Sequence, residues 1–195
     1  MILLIKTYLL YAKNLIDLGY NKFLFKFKKV SYQQFPKIKG KIMITGNGKL
    51  NLGKNISINS SRSANPIGGD IKTIIDLGTN GSLEINHSTG ISNVTIIAHD
   101  SVTIGAFVKI GGSVKIYDTD FHSLDFALRK NKETDTAKTK PIIIKDNAFI
   151  GAHSIILKGV SVGVSSIIGA GSVVTKSVPD GEIWAGNPAK YIKKI

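Results

Sequence analysis

A repeat of six residues constrains the fold of this chain more than any other feature of its sequence. From residue 144 onward every sixth residue is a branched aliphatic one, and the same spacing recurs in three earlier stretches. The repeated positions are Ile144, Ile150, Ile156, Val162, Ile168 and Val174, then Ile104, Ile110 and Ile116, then Ile85, Ile91 and Ile97, and finally Ile38, Ile44, Leu50 and Ile56. An α-helix does not explain this period, because residues six apart point in directions about 120° apart and form no apolar stripe.

Units of six residues predict a parallel β-helix, and therefore an all-β fold class. Each unit supplies a short strand and a turn, and three units close one triangular coil. The aliphatic residue points inward and stacks on its equivalents in neighbouring coils, about 4.8 Å away. Glycine often follows it, as at Gly151, Gly163 and Gly169, where we expect the chain to turn a corner. The frame shifts by one residue between Ile97 and Ile104.

The repeat divides the chain into three segments. Residues 1–37 form a basic, helical N-terminal segment, residues 38–178 form the β-helix, and residues 179–195 form a C-terminal segment. Within the β-helix, residues from about 118 to 141 have no six-residue period, and their second half is polar and charged. A stretch of this kind in a rigid solenoid predicts an external loop with a functional role.

Charge and composition restrict the partners. The net charge is +13, and residues 1–41 carry nine lysines against the single acidic residue Asp17. A basic surface attracts nucleic acid, an anionic membrane or a phosphorylated small molecule. We find no nucleic-acid-binding motif, so phosphates on a small molecule or on lipid are favoured. The sequence has no cysteine, which excludes disulfides, thiolate metal sites and a cysteine nucleophile, and fits a reducing cytoplasm.

The N-terminal segment has two interpretations. Lys6 and Lys13 interrupt its apolar runs, so we expect no membrane-spanning helix, and no signal-peptide cleavage site follows. The apolar residues Ile2, Ile5, Leu9 and Ile16 share one face of a predicted helix. That face favours a helix packed on the body of the protein. The alternative is a basic amphipathic helix in peripheral contact with an anionic membrane. The expected location is the cytoplasm, and the alternative is the inner face of the membrane.

Two segments resemble the hexapeptide-repeat O-acetyltransferases, which include the maltose and galactoside acetyltransferases. They are Val102–Asp125 (VTIGAFVKIGGSVKIYDTDFHSLD) and Ile150–Ile192 (IGAHSIILKGVSVGVSSIIGAGSVVTKSVPDGEIWAGNPAKYI). The motif YDTDFHSLD is similar to the branch found in polysaccharide gene clusters. The resemblance implies a left-handed coil and a homotrimer. It also implies acetyl transfer from acetyl-coenzyme A (acetyl-CoA) to a hydroxyl of a sugar or polysaccharide precursor, with no metal required.

His122 is the candidate catalytic base. Acyl transfer to a hydroxyl needs a base that takes the hydroxyl proton, and histidine titrates in the right range. His122 falls where a strand leaves the coil and the external loop begins, and the resemblance assigns the same role to this position. A carboxylate usually orients such a histidine. Asp118 and Asp120 share strand parity with His122, and Asp125 is a further option, so Asp120 is the candidate with the alternatives open.

The resemblance also implies how acetyl-CoA binds. Phe149 would wall the thiol end, an amide near Gly151 and Ala152 would face the oxyanion, and the backbone of Ala152 and Ala170 would bind the pantetheine amides. Further along the cofactor lie Thr175 and Lys176, with Lys190 and Lys193 at the phosphates. The implied acceptor-binding residues are Ser92, Asn93 and Asp100.

The sequence leaves three alternatives open. A streptogramin-type antibiotic acetyltransferase would share the fold and the mechanism. A non-catalytic β-helix scaffold would have the repeat without the chemistry. A zinc enzyme would need three histidines that converge from neighbouring coils, and the chain contains four in all.

Overall fold

Three β-sheets form the faces of a triangular prism. The computed structural model describes residues 2–195, and the side chains of residue 8 and of residues 10–195. The strands are β1 (Ser31–Tyr32), β2 (Lys37–Gly40), β3 (Met43–Gly46), β4 (Lys49–Leu52), β5 (Ser57–Ser60), β6 (Ile74–Leu77), β7 (Ser82–Ile85), β8 (Gly90–Ser92), β9 (Thr95–Ala98), β10 (Ser101–Ile104), β11 (Lys109–Ile110), β12 (Lys115–Tyr117), β13 (Ile142–Ile144), β14 (Phe149–Ile150), β15 (Ile155–Leu157), β16 (Ser161–Val162), β17 (Ile167–Ile168), β18 (Val173–Val174), β19 (Glu182–Gly186) and β20 (Ala189–Lys194). The helices are α1 (Ile2–Phe27) and α2 (Phe126–Arg129), with a 3₁₀ turn at Pro66–Gly68.

The chain visits the three sheets in turn. Sheet A has the order β1-β4-β7-β10-β13-β16, sheet B has β2-β5-β8-β11-β14-β17-β19-β20, and sheet C has β18-β15-β12-β9-β6-β3. Strands of successive coils pair in parallel and in register, as Ile110 does with Ile150 and Ile150 with Ile168. We name the corners of the prism A–B, B–C and C–A after the sheets that they join. The prediction of an all-β, left-handed parallel β-helix is confirmed.

The inward aliphatic residues form the core of the prism. Ile104, Ile116, Ile144, Ile150 and Ile156 all have 0% exposure. Burying one such side chain stabilises the fold by about 1.5–3 kcal/mol, so the stacked column holds the coils together.

The predicted frame was wrong at Ile97. Ile96 and Ala98 of β9 are buried, whereas Ile97 lies on the outer face of sheet C, between Asp76 and Tyr117 of the neighbouring strands. Side chains alternate along a strand, so only one of two adjacent isoleucines can point inward. Ile96 follows Ile91 by five residues and precedes Ile104 by eight, so the spacing departs from six on both sides of β9.

Glycine at the corners is required for space and not for its backbone angle. A Cβ at Gly151 would lie 2.5 Å from the amide nitrogen of Ala170 in the next coil, and a Cβ at Gly163 would lie 2.4 Å from that of Asp180. The left-handed backbone that turns these corners occurs two residues later, at His153 (φ 62°) and Ser165 (φ 57°). The glycine of each repeat thus lets successive coils approach at a corner.

A second excursion, residues 61–72, was not predicted. It lies between β5 and β6 and covers the B–C corner. Gly68 packs closely on Asn93, since a Cβ added at Gly68 would lie 2.5 Å from the Asn93 Cβ. Ser113 Oγ also donates a hydrogen bond to Gly68 O (3.0 Å). Its composition, rich in serine, glycine and asparagine around Pro66, was the available signal for a loop.

Helix α1 closes the first-coil end of the prism. The side chains of Asp17, Asn21 and Phe25 are buried on the side of α1 that faces the prism. Asn21 Nδ2 donates to Gly40 O (2.8 Å), and Ile42 N donates to Asn21 Oδ1 (3.2 Å). The antiparallel pair β19–β20 lies at the other end. Both elements cover open ends of a solenoid whose inner residues need neighbours.

The interpretation that the predicted apolar face of α1 packs on the body of the protein is wrong at Ile16. The side chains of Ile2, Ile5 and Leu9 lie outside the described residues. Ile16 is 63% exposed and does not pack on the body of the protein. Within the described residues, no helix is both long enough and apolar enough to cross a membrane.

Two adjacent residues of β13 test the inward column. Ile144→Ala removes a fully buried side chain and is expected to lower the free energy of unfolding by about 2–5 kcal/mol, because a cavity remains in the core. Ile143→Ala, at a residue that is 44% exposed, is expected to cost about 0.5 kcal/mol or less. Chemical denaturation followed by circular dichroism measures both. Equal losses would contradict the inward assignment.

Candidate active site

The long external loop leaves the prism at the C–A corner, between β12 and β13. Its two arms pair with each other, since Asp120 N donates to Lys138 O (3.1 Å) and Lys140 N donates to Asp118 O (2.9 Å). Thr119 and Thr139 form an antiparallel bridge between these contacts. The loop therefore doubles back on itself, which brings its second half beside His122.

Asp118 anchors the start of the loop on the preceding coil. Its side chain is fully buried, and its two carboxylate oxygens accept the N–H groups of His99 (2.9 Å) and Asp100 (2.8 Å). Burial raises the pKa of Asp118, although these two hydrogen bonds oppose the rise. Both oxygens are used by the backbone, so Asp118 has a structural role and is not the partner of His122.

His122 is paired with Asp135. Nδ1 of His122 lies 2.6 Å from Oδ2 of Asp135, while Oδ1 of Asp135 accepts the N–H of Ser123 (2.7 Å). The hydrogen bond with His122, and then that with Ser123, hold the pKa of Asp135 below its usual value. An ionised carboxylate accepts hydrogen bonds only, so the ring proton of neutral His122 lies on Nδ1 and the lone pair on Nε2. The side chain of His122 is 67% exposed, which leaves this base accessible.

This pairing corrects the expectation for Asp120. Lys158 Nζ lies 3.2 Å from Asp120 Oδ2, so Asp120 forms an ion pair with the turn after β15. Asp125 is also occupied, because its Oδ1 accepts the N–H of Ala127 and caps α2 (2.8 Å). Strand parity misled the prediction, since His122 lies beyond the end of β12 in a loop where alternation no longer applies.

Short-range contacts hold the backbone around His122. Arg129 Nη1 donates to Ser123 O (2.7 Å), which ties α2 to the residue after the base. Phe121, the residue before it, has a left-handed backbone (φ 65°) and packs edge-on against Tyr117, with ring centroids 5.2 Å apart. This conformation is uncommon for a non-glycine residue, so the contacts around Phe121 must hold it in place.

Three of the residues expected at the acyl donor lie away from His122, on sheet B and at the B–C corner. Phe149 is on the outer face of sheet B and is 47% exposed, and Ala152 and Ala170 follow β14 and β17 at the B–C corner. Ala152 O accepts the N–H of Gly171 (2.8 Å), which sets the two alanines side by side in neighbouring coils. Within the part of the chain that the structure describes, neither alanine's amide nitrogen donates a hydrogen bond. An aromatic wall beside free amide donors fits the thiol end and amides of a pantetheine arm.

The other residues predicted to contact acetyl-CoA lie further apart. Thr175 and Lys176 are exposed beyond the end of β18, towards the C–A corner. Lys190 and Lys193 are exposed on β20, at the end of sheet B. Gly151 N donates to Ile168 O (2.8 Å), so this amide is already used within the fold.

The predicted acceptor residues are divided between two corners. Ser92 ends β8 on sheet B, and its Oγ accepts a hydrogen bond from Asn59 Nδ2 (3.0 Å). A shallow groove of about 310 Å³ connects Ser92 with Phe149 along this sheet. Asp100 lies instead at the C–A corner, beneath the loop that carries His122.

The structure does not support the expected contact between Asn93 and an acceptor. Asn93 is fully buried beneath residues 61–72, and its Nδ2 donates to Ile71 O. Its Oδ1 is buried without a hydrogen-bond partner in the described part of the chain. The unpredicted excursion is the physical reason, because it covers the corner that was expected to be open.

The remaining histidines do not form a metal centre within residues 2–195. No three histidine, aspartate or glutamate side chains come together there in a way that could hold a metal ion. His99 Nε2 lies 2.9 Å from Asp76 Oδ2 in the preceding coil, and His87 packs edge-on against Phe107.

Comparisons with known proteins identify the repeat. The family described as "Hexapeptide repeat of succinyl-transferase" matches residues 141–176. The galactoside O-acetyltransferase of Escherichia coli (strain K12) is 42% identical over 103 residues, which is 53% of this chain and 49% of the relative. The galactoside O-acetyltransferase of Lactococcus lactis subsp. lactis (strain IL1403) is 36% identical over 118 residues, which is 59% of this chain and 55% of the relative.

Two solved structures share the architecture. The polySia specific acetyltransferase NeuO is similar over 84% of this chain and 87% of its own, with a TM-score of 0.54 and 25% identity. AntD, an N-acyltransferase from Bacillus cereus solved with dTDP and 3-hydroxybutyryl-CoA, is similar over 87% of this chain and 86% of its own. Its TM-score is 0.64 at 22% identity, which shows the fold alone.

These findings, together with the three sheets, describe a left-handed parallel β-helix whose residues 141–176 match the hexapeptide repeat. Its repeat region is homologous to the hexapeptide-repeat acetyltransferases, so the resemblance predicted from the sequence is confirmed. The chain spans about half the length of the curated relatives it matches.

The His122–Asp135 contact makes a prediction that needs no assay of activity. Neutral His122 is expected to carry its proton on Nδ1, which ¹H–¹⁵N NMR of the ring nitrogens detects. Asp135→Asn is expected to move the proton to Nε2, because an asparagine amide can donate a hydrogen bond to Nδ1. Glu133→Gln, an equal change of charge at an exposed residue of the same loop, should leave the tautomer unchanged. The same tautomer in all three proteins would refute the pairing.

Proposed function

We propose that this protein transfers an acetyl group from acetyl-CoA to a hydroxyl of a sugar or polysaccharide precursor. The observation that carries the proposal is the His122–Asp135 pair, which presents an exposed Nε2 lone pair on a loop braced at both arms. The homology to galactoside O-acetyltransferases supports a sugar hydroxyl as acceptor. The similarity to NeuO, a polysialic-acid acetyltransferase, supports a polysaccharide or its precursor.

The residues supply a direct transfer without a covalent enzyme intermediate. Nε2 of His122 takes the hydroxyl proton as the acceptor oxygen attacks the thioester carbon. The Asp135 carboxylate stabilises the positive charge that forms on the ring. The carbon–sulfur bond then breaks, and the leaving thiolate receives the proton from His122. General-base catalysis of this kind contributes about 10²–10⁴-fold in rate.

The amide of Ala152 is a better candidate than that of Gly151 to donate a hydrogen bond to the oxyanion. The sequence left the amides of Gly151 and Ala152 open, but Gly151 N already donates to Ile168 O. The amide of Ala152 has no acceptor in the described part of the chain, so it is available for the charge that develops on the carbonyl oxygen. One such donor is worth about 2.7–4 kcal/mol in the transition state.

The remaining contacts with acetyl-CoA follow the family's arrangement. Phe149 would contact the thiol end, Ala170 N would donate to a pantetheine amide, and Thr175 and Lys176 would lie further along. Lys190 and Lys193 would attract the phosphates as point charges. For the acceptor, Ser92 in the groove of sheet B and Asp100 at the C–A corner are the polar groups proposed to contact sugar hydroxyls.

We further propose that the site forms between two copies of the chain. His122 projects from the C–A corner and Ala152 from the B–C corner, so the base and the donor amides lie at different corners of one prism. A neighbouring copy whose C–A corner meets this B–C corner brings them together. Closed cyclic symmetry then gives the homotrimer that the resemblance implies.

The first test is acetyl-CoA turnover, measured as thiol release in the presence of oligosaccharides, sugar nucleotides and a streptogramin antibiotic. Release should depend on a sugar acceptor. His122→Ala is expected to lower kcat at least about 10²-fold, because no base then takes the hydroxyl proton. His87→Gln, at a histidine away from the loop, is the control and should retain activity. Equal turnover in wild type and His122→Ala would refute the mechanism, and turnover on the antibiotic alone would refute the sugar acceptor.

A mixing experiment tests the shared site. Ala170→Trp is expected to block the proposed binding site of the pantetheine arm, and His122→Ala removes the base. Each protein alone should therefore be nearly inactive. Unfolding and refolding the two together should restore a measurable fraction of wild-type turnover. In mixed assemblies, the intact pantetheine site of a His122→Ala chain can lie beside the intact His122 of an Ala170→Trp chain. Recovery no greater than that of the separately refolded proteins would mean that one chain supplies the whole site.

A further inference from the structure

Helix α1 presents a large apolar surface away from the prism. Its exposed side chains include Phe23 at 71%, Phe27 at 69% and Tyr11 at 62% exposure. We call this surface the outer face of α1, and it consists of Tyr8, Tyr11, Leu15, Ile16, Phe23 and Phe27. Large apolar side chains exposed in this number on one helix indicate a site of interaction.

Phe23 and Phe27 of the outer face point away from the prism. The buried side of α1 is a narrow stripe at Asp17, Asn21 and Phe25, which follow each other at intervals of four residues. At about 100° per residue, Phe23 and Phe27 point to the other side of the helix. Their rings stack on each other at 6.2 Å between centroids and remain open to solvent.

The charges on α1 indicate what this face meets. Lys13, Lys22 and Lys26 are exposed on the helix. Asp17 is the single acidic residue of the first 41 residues, and it is buried with Lys41 Nζ at 3.9 Å. The exposed charges of α1 are therefore positive. Packing against α1 of a second copy would bring like charges together without a carboxylate to compensate them. An anionic surface complements them.

We propose that the outer face of α1 lies on the surface of an anionic membrane. The helix spans 26 residues, about 39 Å, and lies flat with its rings at the level of the lipid headgroups. Tyrosine has an apolar body and a polar tip, and lysine can extend its ammonium to the headgroup phosphates, so both suit this boundary. The prism would stand on the membrane by its first-coil end.

The test is flotation of the full chain with lipid vesicles. The wild type should float with vesicles that contain phosphatidylglycerol and remain behind with pure phosphatidylcholine, because both the lysines and the rings are needed. Lys22→Gln with Lys26→Gln, and separately Phe23→Ser with Phe27→Ser, should each reduce binding about 10-fold or more. Raised salt should weaken the binding of the wild type.

Matched controls distinguish membrane binding through α1 from nonspecific adsorption to vesicles. Lys130→Gln with Lys132→Gln removes the same charge from the external loop, and Ile67→Ser removes an apolar side chain that is 63% exposed elsewhere. Both should bind as the wild type does, and circular dichroism should show that every variant is folded.

Three results would overturn the proposal. They are no flotation of the wild type, equal flotation with neutral and anionic vesicles, and equal losses in control and α1 variants. Light scattering adds a fourth, since α1 variants that dissociate an assembly would assign the face to a second copy. Thiol release with a soluble acceptor does not depend on α1, so failure here leaves the proposed chemistry intact.

Discussion

The inward column of aliphatic side chains is the constraint on which the rest of the structure depends. Each coil buries its isoleucines only against the coils above and below, so the column keeps every strand in register with its neighbours. The corners are consequently stacked in rows along the prism. Ala152 and Ala170 form one such row at the B–C corner, and the turn at Asp100 and the anchor at Asp118 form another at the C–A corner. Excursions can leave at a corner without disturbing the core.

The six-residue period predicted the fold because it reports this column directly. It failed where the outer face is also aliphatic. Ile96 and Ile97 are both isoleucine, so the period alone cannot tell which of them points inward, and the neighbouring strands decide. The excursion at residues 61–72 was missed for a related reason. The repeat resumes after it, and an interruption shows only through the turn-forming residues between Ile58 and Ile74.

The candidate site was predictable in part. His122 could be found because a strand of the repeat ends just before it and the resemblance covers that position. Asp135 could not, since it follows 13 residues later in a segment without periodicity, and the contact exists only because the two arms of the loop pair. The burial of Asn93 was equally hidden, because it depends on a segment more than 20 residues earlier in the chain. Local pattern identifies the candidate base, whereas its partner and its surroundings come from the way the excursions fold.

The two proposals place their demands on separate parts of the prism. The proposed acetyl transfer between copies would use the corners, while the proposed membrane contact would use the first-coil end, where α1 lies. In a trimer of parallel prisms the three α1 helices would face the same plane. Weak attraction of each outer face to an anionic surface would then be strengthened by the other two, because the later contacts form at a high effective concentration. A trimer held in this way would keep its three corner sites close to the membrane surface. Acceptors attached to lipid would reach those sites without the prism having to tilt or open.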